Sequence, residues 1–574
     1  MDKLLTSGTS TTLRNHSLTF EFTANPVWYA IQSLPYLMEY PYECAEQIFS
    51  RLFANSVATG IINSSPKIKS VFKQWSQLAD GKALLSSMEK NQELKSILLE
   101  ETPWVRNAED ETARKKRLAV LFDLNRMSYE LTSNFEKLQQ MQNADGSFPW
   151  FKGMNGDRYI TQHIVLGMGQ LKKMNVIDVK AYRNFDIVLN KAIAYLDRKL
   201  VEDKGVGYFP LHYLYARSYI ESKSINSKFN DTFNRYIKQI TADWRTLDIY
   251  QQAQAALILN RMGNRVEASK IINSLKQIAQ HSEEMGMYWA NNRGGWWWYQ
   301  NQVETQSLLI EAFNEVSSDR KSVEEMKRWL LKNKQTNDWK TTKATAAACY
   351  ALLMNGYDLL ADSAAPRLLM GNKNIASTAS EAGTGYQKTT IAAVDIKPEM
   401  AKIEITNPNK TSAWGALYWQ YFEQLDKIKG SASGIKIKKE LFLQKQQAKG
   451  KVLTPLSAST LVPGDRVKVR IEIYADRNME YLHLKDMRSA GFEPVNVISQ
   501  YKYQDGLGYY QSTKDASTNF FISYLPKGVY VFEYDLQVSH AGNFSNGITS
   551  LQSMYAPEFT TISDGIRVRV KGDK

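Results

Sequence analysis

A thiol and a carboxamide stand three residues apart in Tyr40-Pro41-Tyr42-Glu43-Cys44-Ala45-Glu46-Gln47. At that spacing Cys44 and Gln47 share one face of a helical turn. The sulfur can then attack the amide carbonyl, expel ammonia and leave an internal thioester. The product is an acyl group activated toward a lysine amine or a hydroxyl, because thiolate leaves far more readily than an amine. The bland reading of the same residues is a buried free cysteine beside an ordinary glutamine. Cys-x-x-Gln alone leaves the two open.

Little else in the chain carries chemistry. Cys349 lies among alanines in Ala344–Leu353 and reads as a core residue. A Cys44–Cys349 disulfide would need a geometry that sequence does not specify. None of the six histidines falls three to five residues from another, so no metal pattern exists, and no cofactor signature or phosphate loop is present. His163 sits on an amphipathic stretch, either as a satisfied or exposed histidine or as a base for acyl transfer. Glu304 and the turn at Asp145 are the only candidates for the paired carboxylates of a glycoside-cleaving enzyme. Trp296-Trp297-Trp298-Tyr299 suits packing at a turn, or a ligand groove.

These residues must be positioned by elements of two kinds. From about Pro26 to Pro366 apolar residues recur at helical spacing. Ile48 and Leu52, and Phe49 and Phe53, make one stripe, and similar stripes run through Leu118–Leu131, Ile160–Leu171, Ile187–Leu200, Tyr250–Arg261, Thr305–Val316 and Ala344–Leu353. Turns rich in glycine and aromatics separate them, such as Asp145-Gly146-Ser147-Phe148. Helix pairs that bury a face only against neighbours must stack or close, and an α/α toroid is the economical form. After Pro366 the period becomes two. Val467, Val469, Ile471 and Ile473 alternate with Arg466, Lys468, Arg470 and Glu472, and Thr390–Val394, Lys402–Thr406, Val529–Val538 and Ile566–Val570 also read as strands. Lys429–Lys438 reads as a linker. An early strand, Ser17–Phe22, can pair beyond the helices, which would make the helical part an insertion. The expected fold class is therefore multidomain α plus β, an α/α toroid of helix pairs followed by two β-sandwich domains.

A chain of 574 residues allows three or four domains at roughly 150 residues each. Its composition, 43% hydrophobic and 23% charged, excludes disorder as the main theme. Two cysteines exclude a disulfide scaffold or an all-cysteine metal site. No run of eighteen apolar residues suggests a membrane span, and the start of the chain lacks a signal-peptide core. The expectation is a protein that stays where it is made or a piece of a longer one. A net charge of +13 is scattered among acids, and the densest cluster, Arg114-Lys115-Lys116-Arg117, follows Glu109-Asp110-Glu111 as on a salt-bridged helix face. No nucleic-acid partner is implied.

Tyr40–Gln47 resembles the thioester motif of bacterial alpha-2-macroglobulins, relatives of the complement thioester proteins. Other segments match that family in order: Asp145-Gly146-Ser147-Phe148, Trp296-Trp297-Trp298 with Val303-Glu304-Thr305, Trp339 with Ala344-Thr345-Ala346, Asp476–Tyr481, Ala490–Pro494 and Met554–Glu558. The resemblance implies the C-terminal portion of a protease inhibitor that turns over nothing and needs no cofactor. Its domains would be a CUB-like β domain at 1–24 and 367–430, a thioester domain inserted at 25–366, and a terminal macroglobulin-type sandwich at 431–574. It implies Cys44 as thioester sulfur, Gln47 as acyl donor, and Tyr40 and Met554 as shields against water. It also implies target proteases captured through lysine amines, macroglobulin domains and a bait region upstream, and a periplasmic or cell-envelope location, with lipid anchoring of the full-length protein.

One departure stands out. Where the family has glycine before the cysteine, this chain has Glu43. If that position needs a positive φ, glutamate is costly there, and its carboxylate beside the acyl centre would modulate reactivity. Three readings follow: the thioester-bearing part of an inhibitor, the same fold as a non-covalent interaction module, and a carbohydrate-active toroid enzyme.

Overall fold

A computed structural model of the chain describes residues 1–39, 42–77, 124–177, 184–203, 205, 207–220, 227–283, 285–292, 302–334, 339, 341–355, 360, 364, 366–375, 380–409, 412–431, 435–448, 450–504, 506–554 and 559–572. The fold mixes helices and sheets in successive parts, as the change of period implies. Among the described residues, besides a helix at Pro66–Gln77, eleven longer helices carry the first part: α1 (Ala45–Ser64), α2 (Leu124–Met141), α3 (Arg158–Lys173), α4 (Phe185–Glu202), α5 (Tyr208–Arg217), α6 (Ser227–Asp243), α7 (Ile249–Arg261), α8 (Arg265–Gln277), α9 (Gln302–Ala312), α10 (Arg320–Lys332) and α11 (Thr342–Leu353).

Odd and even helices differ in place. Helix α1 packs on α3, α3 on α5, α5 on α7, α7 on α9, α9 on α11, and α11 returns to α1, so the six odd helices close a ring. The even helices lie against them: α2 on α1, α4 between α3 and α5, α6 on α7, α8 on α7, and α10 on α9 and α11. This is an α/α toroid. The chemistry of the helices follows their place. Outer helix α10 keeps one apolar stripe of Val323, Met326, Trp329 and Leu330, whereas every residue of inner α9 from Val303 to Ala312 is buried. Caps start the turns: Asp157, Asp248, Asn264, Asp319 and Thr341 each accept a backbone N–H from the first turn of the helix they precede.

A buried carboxylate ties the ring at one end. Glu311 on α9 accepts from Arg261 Nη2 of α7 at 2.7 Å, from Tyr350 of α11 at 3.0 Å and from Lys173 of α3 at 3.3 Å. It also accepts from the hydroxyls of Tyr215 and Tyr219, on and just after α5. One side chain thus gathers five of the six inner helices. Arg261 reaches in addition to Glu315, in the π-helical turn Phe313–Ser317 that ends α9.

Two small sheets flank the ring. Strand β1 (Arg14–Thr23) lies antiparallel between Gln387–Ala392 and Trp414–Phe422, so the polypeptide leaves this sheet, builds the helices and returns to it. A second sheet of Arg367–Met370, Lys373–Ile375 and Ile403–Thr406 shares a core with it, where Leu18, Phe20 and Phe22 meet Leu368 and Met370. Beyond residue 431 two larger sheets form a sandwich, five-stranded around β2 (Ile435–Gln447), β3 (Arg466–Ala475) and β4 (Gly528–Val538), and six-stranded around β5 (Met479–Met487) and β6 (Thr549–Ser553). Val467, Val469, Ile471 and Ile473 point into its core. Across that core Lys439 of β2 pairs with Asp486 of β5 at 2.6 Å, both side chains almost wholly buried.

Three local expectations need correction. Lys429–Lys438 is not all linker, because β2 begins at Ile435 and Ile435 is core. The strand expected over Thr390–Val394 ends at Ala392 and passes into a 3-10 turn. The helical stripe expected to 316 becomes π-helical from Phe313. Arg114–Arg117, Trp296–Tyr299 and Leu118–Asp123 lie outside the described residues.

Candidate functional site

Cys44 is the N-cap of α1, with extended backbone angles of φ −81° and ψ 159°. Its carbonyl accepts from the N–H of Gln47 at 3.1 Å and of Ile48 at 2.9 Å. Gln47 is therefore the third residue of the helix, so thiol and carboxamide occupy the two positions that a capping box joins. Here a thiol replaces the usual hydroxyl. Cys44 is buried, and Gln47 Oε1 is buried without a hydrogen-bond partner. Burial pushes the Cys44 thiol above its ordinary value, against the opposing pull of the Gln47 and Glu46 backbone N–H groups.

The start of α1 is pinned from two sides. On one, the N–H of Ala45 donates to the Trp150 carbonyl at 2.9 Å. That carbonyl is fixed by the Asp145–Phe148 turn: Asp145 Oδ1 accepts from Ser147, Phe148 N donates to Thr161 Oγ1 on α3, and Asp157 N donates back to Phe148 O. Gly146 has φ +93°, and a Cβ there would meet the Lys191 carbonyl at 2.1 Å, so the turn requires glycine. Gly167 of α3 likewise leaves room for the Phe49 ring of α1. On the other side, Arg51 donates to the Tyr42 carbonyl at 3.0 Å, to Glu43 Oε1 at 3.0 Å and to Asn134 Oδ1 of α2 at 3.2 Å. Lys137 of α2 also reaches Glu43, at 3.2 Å.

Glu43 itself is not among the non-glycine residues with positive φ, which are Asn175, Ser318 and Tyr481 among the described residues. Glutamate meets no left-handed strain at this position. Its carboxylate is engaged by α1 and α2 through Arg51 and Lys137.

The ring interior beside this end is polar. Glu46, between Cys44 and Gln47, accepts from Thr342 Oγ1 of α11 at 2.8 Å and from Ser50 Oγ at 2.9 Å. Lys343 pairs with Glu304 of α9 at 2.6 Å. Burial raises both carboxyls, with Thr342, Ser50 and Lys343 pulling Glu46 down and Lys343 alone opposing at Glu304. His163 stands edge-on to Phe49 at 5.8 Å, and a stack runs from His163 through Tyr159 to His212 and Tyr208. Both imidazoles line a cavity of about 70 Å³ with Glu304, Lys343 and Phe49. Burial and the nearby Lys343 charge depress both to about 3, so they are neutral at neutral pH.

Of the residues singled out from sequence, the structure brings Cys44, Gln47 and Glu43 together at the start of α1 and places His163 on the adjoining α3. Tyr40 lies outside the described residues. Met554 is buried just after β6, and its N–H donates to the Tyr481 carbonyl within the same sandwich at 2.9 Å. Cys349 is buried on α11, its thiol donating to the Ala30 carbonyl at 3.4 Å and pushed up to about 12 by burial. Sequence reading passed over Arg51, Lys343 and His212. Arg51 did leave a signal, since a charged residue inside the apolar run Ile48–Phe53 demands a buried partner. Among the described residues no group of His, Cys, Asp and Glu is arranged to hold a metal ion. No described helix is long and apolar enough to cross a membrane.

Residues 434–558 match the bacterial alpha-2-macroglobulin MG10 domain. An alpha-2-macroglobulin homolog of Nostoc sp. is 21% identical over 452 residues, which are 74% of this chain and 22% of that protein. The chain therefore spans under a quarter of the curated relative it matches. Among solved structures, native Escherichia coli alpha-2-macroglobulin from domain MG7 to the C-terminus aligns over 97% of this chain and 78% of its own, at 12% identity and a TM-score of 0.37. The trypsin-activated Escherichia coli protein aligns over 97% and 34%, at 12% identity and a TM-score of 0.46. Salmonella alpha-2-macroglobulin reacted with methylamine aligns over 98% and 32%, at 15% identity and a TM-score of 0.33. Residues 434–558 thus match a bacterial alpha-2-macroglobulin domain, and the longer stretch matched in Nostoc makes the chain similar to an alpha-2-macroglobulin homolog over 74% of its length.

Proposed function

We propose that this chain is the thioester-bearing C-terminal portion of a protease-trapping inhibitor. The observation that carries the reading is the pairing of Cys44 at the N-cap with Gln47 at the third position of α1, where the Gln47 carbonyl oxygen is buried without a partner. Cys44 Sγ adds to Gln47 Cδ, ammonia leaves, and the thioester forms. A lysine amine of the target then attacks Cδ, the Cys44 thiolate leaves, and an amide joins the two proteins. His163 lies on the helix beside α1, but its depression to about 3 makes it a weak acceptor for the proton of the incoming nucleophile, so it modulates the site through packing against Phe49. Tyr40 and Met554 are assigned to keep water from the bond, since an apolar cover slows hydrolysis.

Trapping would need the upstream macroglobulin domains and a bait segment, so this portion alone should not trap a protease. The two-part sheet around β1 is assigned to the CUB-like domain, into which the thioester domain at 25–366 is inserted. The whole protein is placed in the periplasm or cell envelope. Cys44→Ala tests the reading: it should abolish every covalent adduct with a protease or with methylamine while leaving the fold intact.

A further inference from the structure

We infer that Arg51 and Glu43 form a clamp that positions Cys44, with Glu43 turned into a structural anchor where relatives of this motif carry glycine. Arg51 is nearly buried, its side chain 9% exposed, yet it sits on α1 directly beneath the segment leading into the helix. A buried guanidinium must spend its donors on acceptors. Three acceptors described here are the Tyr42 carbonyl, Glu43 Oε1 and Asn134 Oδ1, so one fork grips both residues before the cysteine and ties them to α2. Lys137 shares the Glu43 carboxylate from the same helix. The Ala45 N–H, held by the Trp150 carbonyl, fixes the residue after the cysteine. Cys44 is thus anchored on both flanks, with the backbone that carries its sulfur and Gln47 already set.

The clamp rests on the thioester reading for its consequence but not for its test. Protein treated with methylamine has a free Cys44 whether or not a thioester preceded it. The rate at which iodoacetamide alkylates Cys44 in the full chain, followed on the Cys44 peptide by mass spectrometry, therefore reads the clamp by itself. Glu43 is 56% exposed, so the effect is that of a screened ion pair. Glu43→Gln and Arg51→Met should each raise the rate about three- to fivefold, and the double variant should be no faster than either single one. Glu43→Asp should recover the slow rate, which a role in packing alone would assign to the isosteric glutamine instead. Salt at about 0.5 M should accelerate the wild-type chain and leave Glu43→Gln unchanged.

Equal rates in Glu43→Gln and wild type, or additive effects in the double variant, would overturn the clamp. Should Arg51→Met not fold, Lys137→Met with Glu43→Gln gives the same comparison. A wild-type chain whose mass shows an intact amide at Gln47 sinks the thioester reading and leaves these alkylation rates as decisive as before.

Discussion

Gln47 donates its backbone N–H to the Cys44 carbonyl at 3.1 Å, which makes the two residues N-cap and third residue of a single helix. A helix start leaves its first N–H groups without intrahelical acceptors. A carbonyl developing negative charge near them is favoured, as is a thiolate. Burial opposes the thiolate, and the raised Cys44 thiol shows that burial wins at rest. The arrangement suits a sulfur that spends its time bonded to carbon.

The ring depends on the Glu311 hub. Glu311→Gln keeps the shape but leaves Arg261 and Lys173 with one charge fewer to face, in a site where the Glu311 side chain is 2% exposed. Removing one partner of a buried pair costs about 3–5 kcal/mol. Urea unfolding followed by helical circular dichroism should show that loss in the helical transition. An unchanged midpoint would mean that the packing of the inner helices alone closes the ring.

Acid should loosen the helical part in two stages. His163 and His212 fall from an ordinary 6.5 to about 3 in the fold, so the unfolded chain binds more protons and stability declines as pH drops from 6.5 toward 3. Glu315, lowered from 4.5 to about 2 against its own burial by its bonds to Arg261, contributes stability above pH 4.5 that is lost as pH falls toward 2. The thermal midpoint measured from pH 8 to pH 4 should fall below pH 6.5. His212→Gln should flatten that first slope.

In the terminal sandwich, Lys439 and Asp486 bridge the two sheets, and Asp486 also accepts from Thr549 and Tyr534. Asp486→Ala strands a buried ammonium and should cost about 3–5 kcal/mol in chemical unfolding. Replacing both residues, as Lys439→Met with Asp486→Leu, should be milder than either single change, because an apolar pair needs no solvation. Additive losses in the double variant would argue against a direct pair.

The assigned shields make a kinetic prediction. Tyr40→Ala should shorten the lifetime of the thioester in buffer about tenfold or more, while the thermal midpoint stays put. Lifetimes that match the wild type would remove Tyr40 from the shield.

Periodicity made much of this legible. Val467, Val469, Ile471 and Ile473 alternate in sequence and alternate in burial on β3, and Ile48, Leu52, Phe49 and Phe53 are all buried on α1, although that helix is buried on every side from Ile48 to Ala58. The mixed fold and the likeness to alpha-2-macroglobulins followed from such local signals and from ordered motifs. Polar contacts over long separations left no such trace. Nothing in the sequence near Glu311 announces Arg261, fifty residues earlier, or Lys173, 138 earlier. The strand at Ile435 was hidden because glycines and serines just before it outweighed the alternation of Ile435, Lys436, Ile437 and Lys438. Glu43 looked like a cost because the expectation of positive φ came from another residue type, and the backbone here does not adopt it.

Intact mass with thiol titration, before and after methylamine, tests the central claim most directly. The account predicts a fresh chain lighter by one ammonia, no titratable thiol at Cys44, and, after methylamine, a modified Gln47 with one thiol released. A fresh chain of full mass in which Cys44 titrates freely, and Gln47 that methylamine leaves untouched, would contradict it.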